Sequence, residues 1–167
     1  MEEIAPPQKV SLRIRAVGDN LIHSPIYNSC KTPDGFNFDG LYENIKPYLS
    51  VADIAAINQE TIFVEDVAAL SGYPAFGTPP EVGESVVRAG FNLITHATNH
   101  TYDKGYNALM HTMKFWSQKD VMVLGINGSA ENSRKSIYGK RTDLKSHCLT
   151  LHTGLTDTDF LRIKNIL

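Results

Sequence analysis

The sequence has few cysteines, no long apolar run and no excess of basic residues. Of its 167 residues only Cys30 and Cys148 are cysteines, too few and too far apart for a disulfide scaffold or a cysteine metal site. No stretch of about 18 apolar residues is present, so no segment is predicted to span a membrane. The formal net charge is −2, which argues against a basic surface for nucleic acid, and none is predicted as a partner.

Composition divides the chain into three stretches. Residues 1–9 contain Pro6 and Pro7, lack the character of a signal peptide, and are predicted to be an extended linker. Residues 10–133 show regular apolar patterning and are long enough for one globular domain. Residues 134–167 carry seven basic and three acidic side chains without a clear period. We predict an irregular tail there.

Patterns typical of strands and helices alternate through residues 10–133. The predicted strands are 10–17, 53–57, 91–97 and 121–124, and the predicted helices are 41–49, 78–89 and 105–119. Strands that alternate with helices of this length favour right-handed crossovers and a parallel sheet covered on both faces. The predicted fold class is therefore α/β with a mainly parallel sheet.

Polar residues follow three of the predicted strands: Asp19 follows the first, Asn58 and Glu60 the second, and Asn99 and His100 the third. Ligands of such sheets bind beyond the carboxyl ends of the strands. Oxygen and imidazole donors together suit Mn, Mg, Zn or Fe, and two such ions can activate a bridging water near a phosphoryl group. The structural alternative is that these residues cap helices and turns.

The remaining histidines have different interpretations. His23, four residues after Asp19, either reaches the same ions or bonds the backbone of its loop. His96 lies within a predicted strand and is interpreted as a buried core histidine. Three others are interpreted as non-functional: His111, His147 and His152.

Four segments resemble, in their order, the CapA family of poly-γ-glutamate capsule synthesis proteins: GDNLIH (18–23), INQE (57–60), GFNLITHATNHTYDKG (90–105) and VLGING (123–128). The most specific piece is ATNHTYDKG, in which Thr98 replaces the first Asn of the family's usual Asn-Asn-His. The resemblance covers about residues 12–130. It implies a layered sandwich similar to the calcineurin-like metallophosphatases, a role in capsule biosynthesis, an extracytoplasmic location at the cell surface, and partner subunits of a membrane-bound polyglutamate synthase.

The resemblance also implies roles for individual residues. Asp19 and Glu60 would bind divalent metal, with Glu60 at the position that bridges two ions in the phosphatases. Asn99 would offer an amide oxygen to the second ion, and His23 is a further candidate ligand. His100 is similar to the histidine that bonds a substrate oxygen or protonates a leaving group, and Asp103 would orient it.

The sequence departs from the family in its second half. CapA-like proteins are normally about twice as long and carry motifs resembling Gly-Glu-Tyr and His-Pro-His, which do not occur here. We therefore expect a fold truncated after about four βα units, an incomplete set of metal ligands and little hydrolase activity. A frameshift or early stop in a longer gene is our hypothesis for the tail, and translating the downstream DNA in its other frames tests it.

Three functions stay open on these grounds. The first is a CapA-like capsule protein with a metallophosphatase-type site that is incomplete in this chain. The second is a metal-dependent phosphoesterase acting on a nucleotide or an envelope precursor. The third is a non-catalytic assembly subunit of a membrane synthase, in which the polar residues at the strand ends persist without turnover.

Overall fold

A computed structural model of the chain describes residues 11–128. The predicted linker 1–9 and tail 134–167 lie outside the described residues, as do His147, Cys148 and His152. The strands are β1 (Ile14–Asp19), β2 (Lys31–Thr32), β3 (Gly35–Phe36), β4 (Ile54–Asn58), β5 (Leu93–Thr95) and β6 (Met122–Leu124). The helices are α1 (Ser24–Ser29), α2 (Asp39–Tyr42), α3 (Lys46–Leu49), α4 (Glu81–Ala89) and α5 (Gly105–Ser117), with 3-10 turns at Glu43–Ile45 and Val67–Ala69.

The main sheet is parallel, with the strand order β1-β4-β5-β6. Each parallel pair is joined by a helical crossover, and crossovers of this kind are right-handed. Because the order runs in one direction across the sheet, right-handed crossovers carry their helices to the same face. The predicted α/β class with a mainly parallel sheet is confirmed.

The core lies between that helical layer and the sheet. Ala55 and Ile57 of β4 and Ile94 of β5 pack in one cluster with Val86 of α4 and Trp116 of α5, and all five are at most 3% exposed. Burying a side chain of this size contributes roughly 1.5–3 kcal/mol. Within residues 11–128, no helix is both long and apolar enough to cross a bilayer.

Helix α4 follows the sequence signals closely. Pro80 precedes its first residue, glutamates occupy its first turn, and Val82 and Val86 form its buried face. Gly90 ends the helix with φ +106°, a left-handed conformation that a side chain would strain.

The region between β1 and β4 is more ordered than its sequence suggests. The segment predicted as a loop forms α1 and the β2–β3 hairpin. Pro25 lies in the first turn of α1, where proline is tolerated. The single helix predicted over 41–49 is instead divided into α2, a 3-10 turn and α3. Pro47 explains the break, because it has no N–H for an interior helical bond and is tolerated in the first turn of α3.

Strand β1 is more exposed than expected for a sheet covered on both faces. It is an edge strand of the described sheet, and all six of its residues are exposed. Leu12, Ile14 and Val17 are 40–55% exposed. The alternating pattern predicted a strand correctly, but alternation carries no information on whether anything packs against its apolar side.

Candidate functional site

One asparagine amide connects the two carboxylates at the carboxyl edge of the sheet. Asn58 Nδ2 donates to Asp19 Oδ1 at 2.8 Å and to Glu60 Oε2 at 2.6 Å. On its other side, Asn58 Oδ1 accepts a hydrogen bond from Thr95 Oγ1 at 2.8 Å. The amide therefore has a defined orientation, with its nitrogen between the two acids.

The parallel register explains why these groups meet. Asp19 at the end of β1 pairs with Asn58 at the end of β4, and Thr95 pairs with Asn58 from β5. Glu60 lies two residues beyond Asn58, a spacing that returns an extended chain to the same side. Three strands thus place polar groups at one edge, which we call the rim.

Glu60 occupies the most restrictive environment of the rim. It is only 9% exposed. Burial raises the pKa of its carboxyl group, and the nearby negative charge of Asp19 raises it further. The hydrogen bond from Asn58 and the charge of His100 act in the opposite direction. Because both Asp19 and His100 influence Glu60, the acids at the ends of β1 and β4 share one electrostatic environment with the loop after β5 that carries Asn99 and His100, which we call the histidine loop.

His100 is held by Asp103. Its Nδ1 lies 2.7 Å from Asp103 Oδ2, and the Phe76 backbone N–H donates to the same oxygen at 2.7 Å. Asn99 Nδ2 lies 3.1 Å from His100 Nε2. Because the Asp103 carboxylate accepts hydrogen bonds, it places a ring proton on Nδ1. Nε2 is then the ring nitrogen that faces away from Asp103, beside the Asn99 amide.

Thr98 connects the histidine loop to the Glu60 backbone. Its hydroxyl donates to the Glu60 backbone carbonyl at 3.1 Å and accepts from the His100 backbone N–H at 2.9 Å. This threonine stands where the family's usual motif has asparagine. Its hydroxyl makes both connections with one atom and so holds the loop beside Glu60.

His96 is a core residue, as the sequence predicted. Its side chain is fully buried, and Nε2 accepts a hydrogen bond from Trp116 Nε1 at 2.7 Å. Burial lowers the pKa of His96 to about 3, so the ring stays neutral. Its position at the end of β5 anchors the start of the histidine loop, since the Thr98 backbone N–H donates to the His96 carbonyl at 2.9 Å.

His23 lies beside an aromatic ring. Its imidazole contacts Phe76 at 4.8 Å between ring centroids, and Phe76 contacts His100 at 4.7 Å on the other side. The His23 carbonyl also accepts backbone bonds from Ile26 and Tyr27 at the start of α1. The structure therefore groups His23 with Phe76 and His100.

The described residues do not by themselves make up a metal site. Asp19 and Glu60 offer the hard oxygen donors that divalent cations bind. Among residues 11–128, however, no group of three or more His, Cys, Asp or Glu side chains is arranged to hold an ion. The donor chemistry at the rim suits a divalent cation, but its four to eight coordination positions require more donors than these residues bring together.

Two residues that connect the site received no role from the sequence. Asn58 was named among the polar residues that follow the strands, but not as the link between two acids. Phe76 had no sequence signal: it lies in the long 61–79 loop, and only the tertiary structure brings it between His23 and His100.

These features define an α/β protein with acidic, amide and imidazole side chains gathered beyond the carboxyl ends of a parallel sheet. A family model of bacterial capsule synthesis proteins, PGA_cap, matches residues 13–160. The chain belongs to this family of bacterial capsule synthesis proteins, and the resemblance inferred from the sequence is confirmed. Comparison with individual curated proteins gives no significant match.

Proposed function

We propose that the rim contributes part of a divalent-metal site of metallophosphatase type, used in poly-γ-glutamate capsule biosynthesis. The observation that supports this most directly is the Asn58 amide between Asp19 and Glu60. Two acids held this close repel each other, and a bound cation would relieve that repulsion. The family membership of the chain supports the capsule role.

The residues of the chain would divide the work as follows. Asp19 and Glu60 would hold the ion, with Asn99 and His23 as further candidate ligands. A bound divalent ion of this kind, Mn, Mg, Zn or Fe, supplies an activated water and stabilises negative charge. His100, held through Nδ1 by Asp103, would offer Nε2 to a substrate oxygen or a leaving group. The substrates we consider are phosphorylated envelope precursors or nucleotides.

A non-catalytic assembly subunit is the second candidate. The absence of a three-residue ligand group among residues 11–128 favours it. In that case the rim would be a structural hydrogen-bond network, and the chain would act through other capsule or polyglutamate synthase subunits at the membrane.

Metal titration of the full chain separates these proposals. We expect Mn²⁺ or Zn²⁺ to bind the wild type, and the double variant Asp19→Asn, Glu60→Gln to bind at least about tenfold more weakly, as expected when two charged ligands are lost. The matched control, Asp34→Asn with Glu43→Gln, removes two exposed acids and should bind as the wild type does. Equal metal content in all three chains would remove the metal site.

Phosphate release from an aryl phosphate then tests for catalysis. His100→Gln should retain metal binding and lose whatever turnover the wild type has, because the imidazole that would bond a substrate oxygen or protonate the leaving group is gone. Metal binding without any phosphate release would favour the assembly role.

A further inference from the structure

A chain of four buried polar side chains lies beneath the rim. The Tyr42 hydroxyl donates to Asn20 Oδ1 at 2.9 Å, and Asn20 Nδ2 donates to Gln59 Oε1 at 2.7 Å. Gln59 Nε2 in turn donates to the Thr61 hydroxyl at 3.0 Å. All four residues are at most 8% exposed. We call these four side chains the buried amide chain.

The donors and acceptors of the buried amide chain match from one end to the other. Burial raises the pKa of Tyr42 to about 12, so its hydroxyl stays protonated and donates. Asn20 and Gln59 each accept through the amide oxygen and donate through the amide nitrogen. Removing either amide would leave the other without its partner away from water, which is costly.

The buried amide chain and the rim alternate along the same two segments. Asn20 follows Asp19, and Gln59 lies between Asn58 and Glu60. Neighbouring side chains of an extended backbone point to opposite sides. The Asn20–Gln59 hydrogen bond therefore joins the two segments on the buried side. On the rim side, the Asn58 amide joins the two acids of the same segments.

Asn20 is the point at which the exposed strand β1 meets the core. All six residues of β1 are exposed, and its pairing with β4 is irregular between Ala16 and Asp19. Asn20 is the first buried residue after the strand, and its backbone N–H donates to the Asn58 carbonyl at 2.7 Å. The position of Asp19 therefore depends on how its neighbour Asn20 is held.

We propose that Asn20 and Gln59 are positioning residues of the rim. Their buried hydrogen bond holds the ends of β1 and β4 at the separation that lets Asn58 donate to both acids. The consequence for metal binding rests on the metal site proposed above, whereas the consequence for Asn58 requires no metal.

Nuclear magnetic resonance of the metal-free full chain tests the effect on Asn58. Its side-chain amide protons donate to two carboxylates, so they should resonate downfield of exposed amides and exchange slowly with water. Gln59→Met keeps the length of the side chain and removes its amide. The Asn58 signals should then move towards those of exposed amides and exchange about tenfold faster, as expected for the loss of a buried hydrogen bond. Asn20→Leu breaks the same bond from the β1 side and should have the same effect, so each variant tests the bond if the other does not fold.

Thr112→Val is the matched control. Thr112 is fully buried, and its hydroxyl accepts from the Phe63 backbone N–H at 2.9 Å. The variant therefore loses a buried hydrogen bond of the core that has no partner at the rim. Urea unfolding should show a loss of stability, while the Asn58 amide signals stay as in the wild type.

Titration of the same chains with Mn²⁺ or Zn²⁺ measures the consequence for the metal site. Gln59→Met should bind the ion at least about tenfold more weakly than the wild type, as is typical when a residue that orients a metal ligand is removed. Thr112→Val should bind as the wild type does. A wild type that binds no metal, with Asn58 signals that still move in Gln59→Met, would remove the metal site and support the positioning role.

Either of two results would refute the positioning role. One is Asn58 signals that stay unchanged in folded Gln59→Met or folded Asn20→Leu. The other is an equal movement of these signals in Thr112→Val, which would mean that any loss of core stability loosens the rim.

Discussion

Acidification should destabilise this protein through one buried histidine. His96 is fully buried, and its pKa is lowered from 6.5 to about 3. Below pH 6.5 the unfolded chain binds a proton at this position that the folded protein excludes, so stability falls as pH falls until the folded pKa is reached. In this window the free energy of unfolding decreases by up to about 1.4 kcal/mol for each pH unit, so the loss between pH 6.5 and pH 5 is about 2 kcal/mol.

Urea unfolding of the full chain at several pH values, followed by Trp116 fluorescence, measures this effect. His96→Gln keeps an acceptor for the Trp116 N–H and does not titrate, so its stability should fall by about 2 kcal/mol less over the same window. His111 is a half-buried histidine of α5, and the control variant His111→Gln should retain the full pH dependence of wild-type stability. The raised pKa of Glu60 has the opposite effect, since it makes the folded state more stable as pH falls. Glu60 is present in all three chains, so this contribution cancels in the comparison. Parallel curves for the wild type and His96→Gln would refute the reasoning.

Two further predictions concern packing and the rim. Gly83→Ala should destabilise the protein, because the new methyl would lie 2.5 Å from the Phe115 ring. Overpacking of this kind costs about 1–3 kcal/mol, whereas the better helix propensity of alanine contributes about 1 kcal/mol. Gly40→Ala, in open space, should be neutral or stabilising by urea unfolding, and the reverse order of the two variants would contradict this account. Glu60→Gln should stabilise the metal-free protein at pH 7, because burial and Asp19 disfavour the ionised carboxylate. That gain should vanish as pH falls through the raised pKa and the wild-type carboxyl becomes neutral; a gain independent of pH would rule out ionisation as its cause.

Local sequence signals predicted the strands and the long helices well. Helix α4 has its proline start, acidic first turn and glycine stop in adjacent positions, so short-range chemistry is sufficient there. Helix α1 and the β2–β3 hairpin were not predicted, because elements of two to six residues depend on tertiary packing more than on propensity. The apolar spacing of 41–49 predicts one helix in which Pro47 disfavours the last turn, and the structure divides this segment into α2, a 3-10 turn and α3.

The sequence predicted candidate site residues at one edge of the sheet. Asp19, Glu60, Asn99 and His100 were placed at one sheet edge because parallel strands end together. Their hydrogen-bond partners could not be predicted in the same way. Asn58 meets Asp19 only because β1 pairs with β4, and residue types and spacing along the chain do not show which strands are neighbours. Their roles as ligands and acid–base groups stay predictions.

The sequence by itself determined the alternation of strands and helices and the membership in the capsule synthesis family, because both are carried by short patterns along the chain. Only the tertiary structure decided that one amide joins Asp19 to Glu60, that Phe76 separates two imidazoles, and that β1 is exposed. Contacts between residues dozens of positions apart depend on strand order, loop closure and burial, and these are properties of the packed molecule.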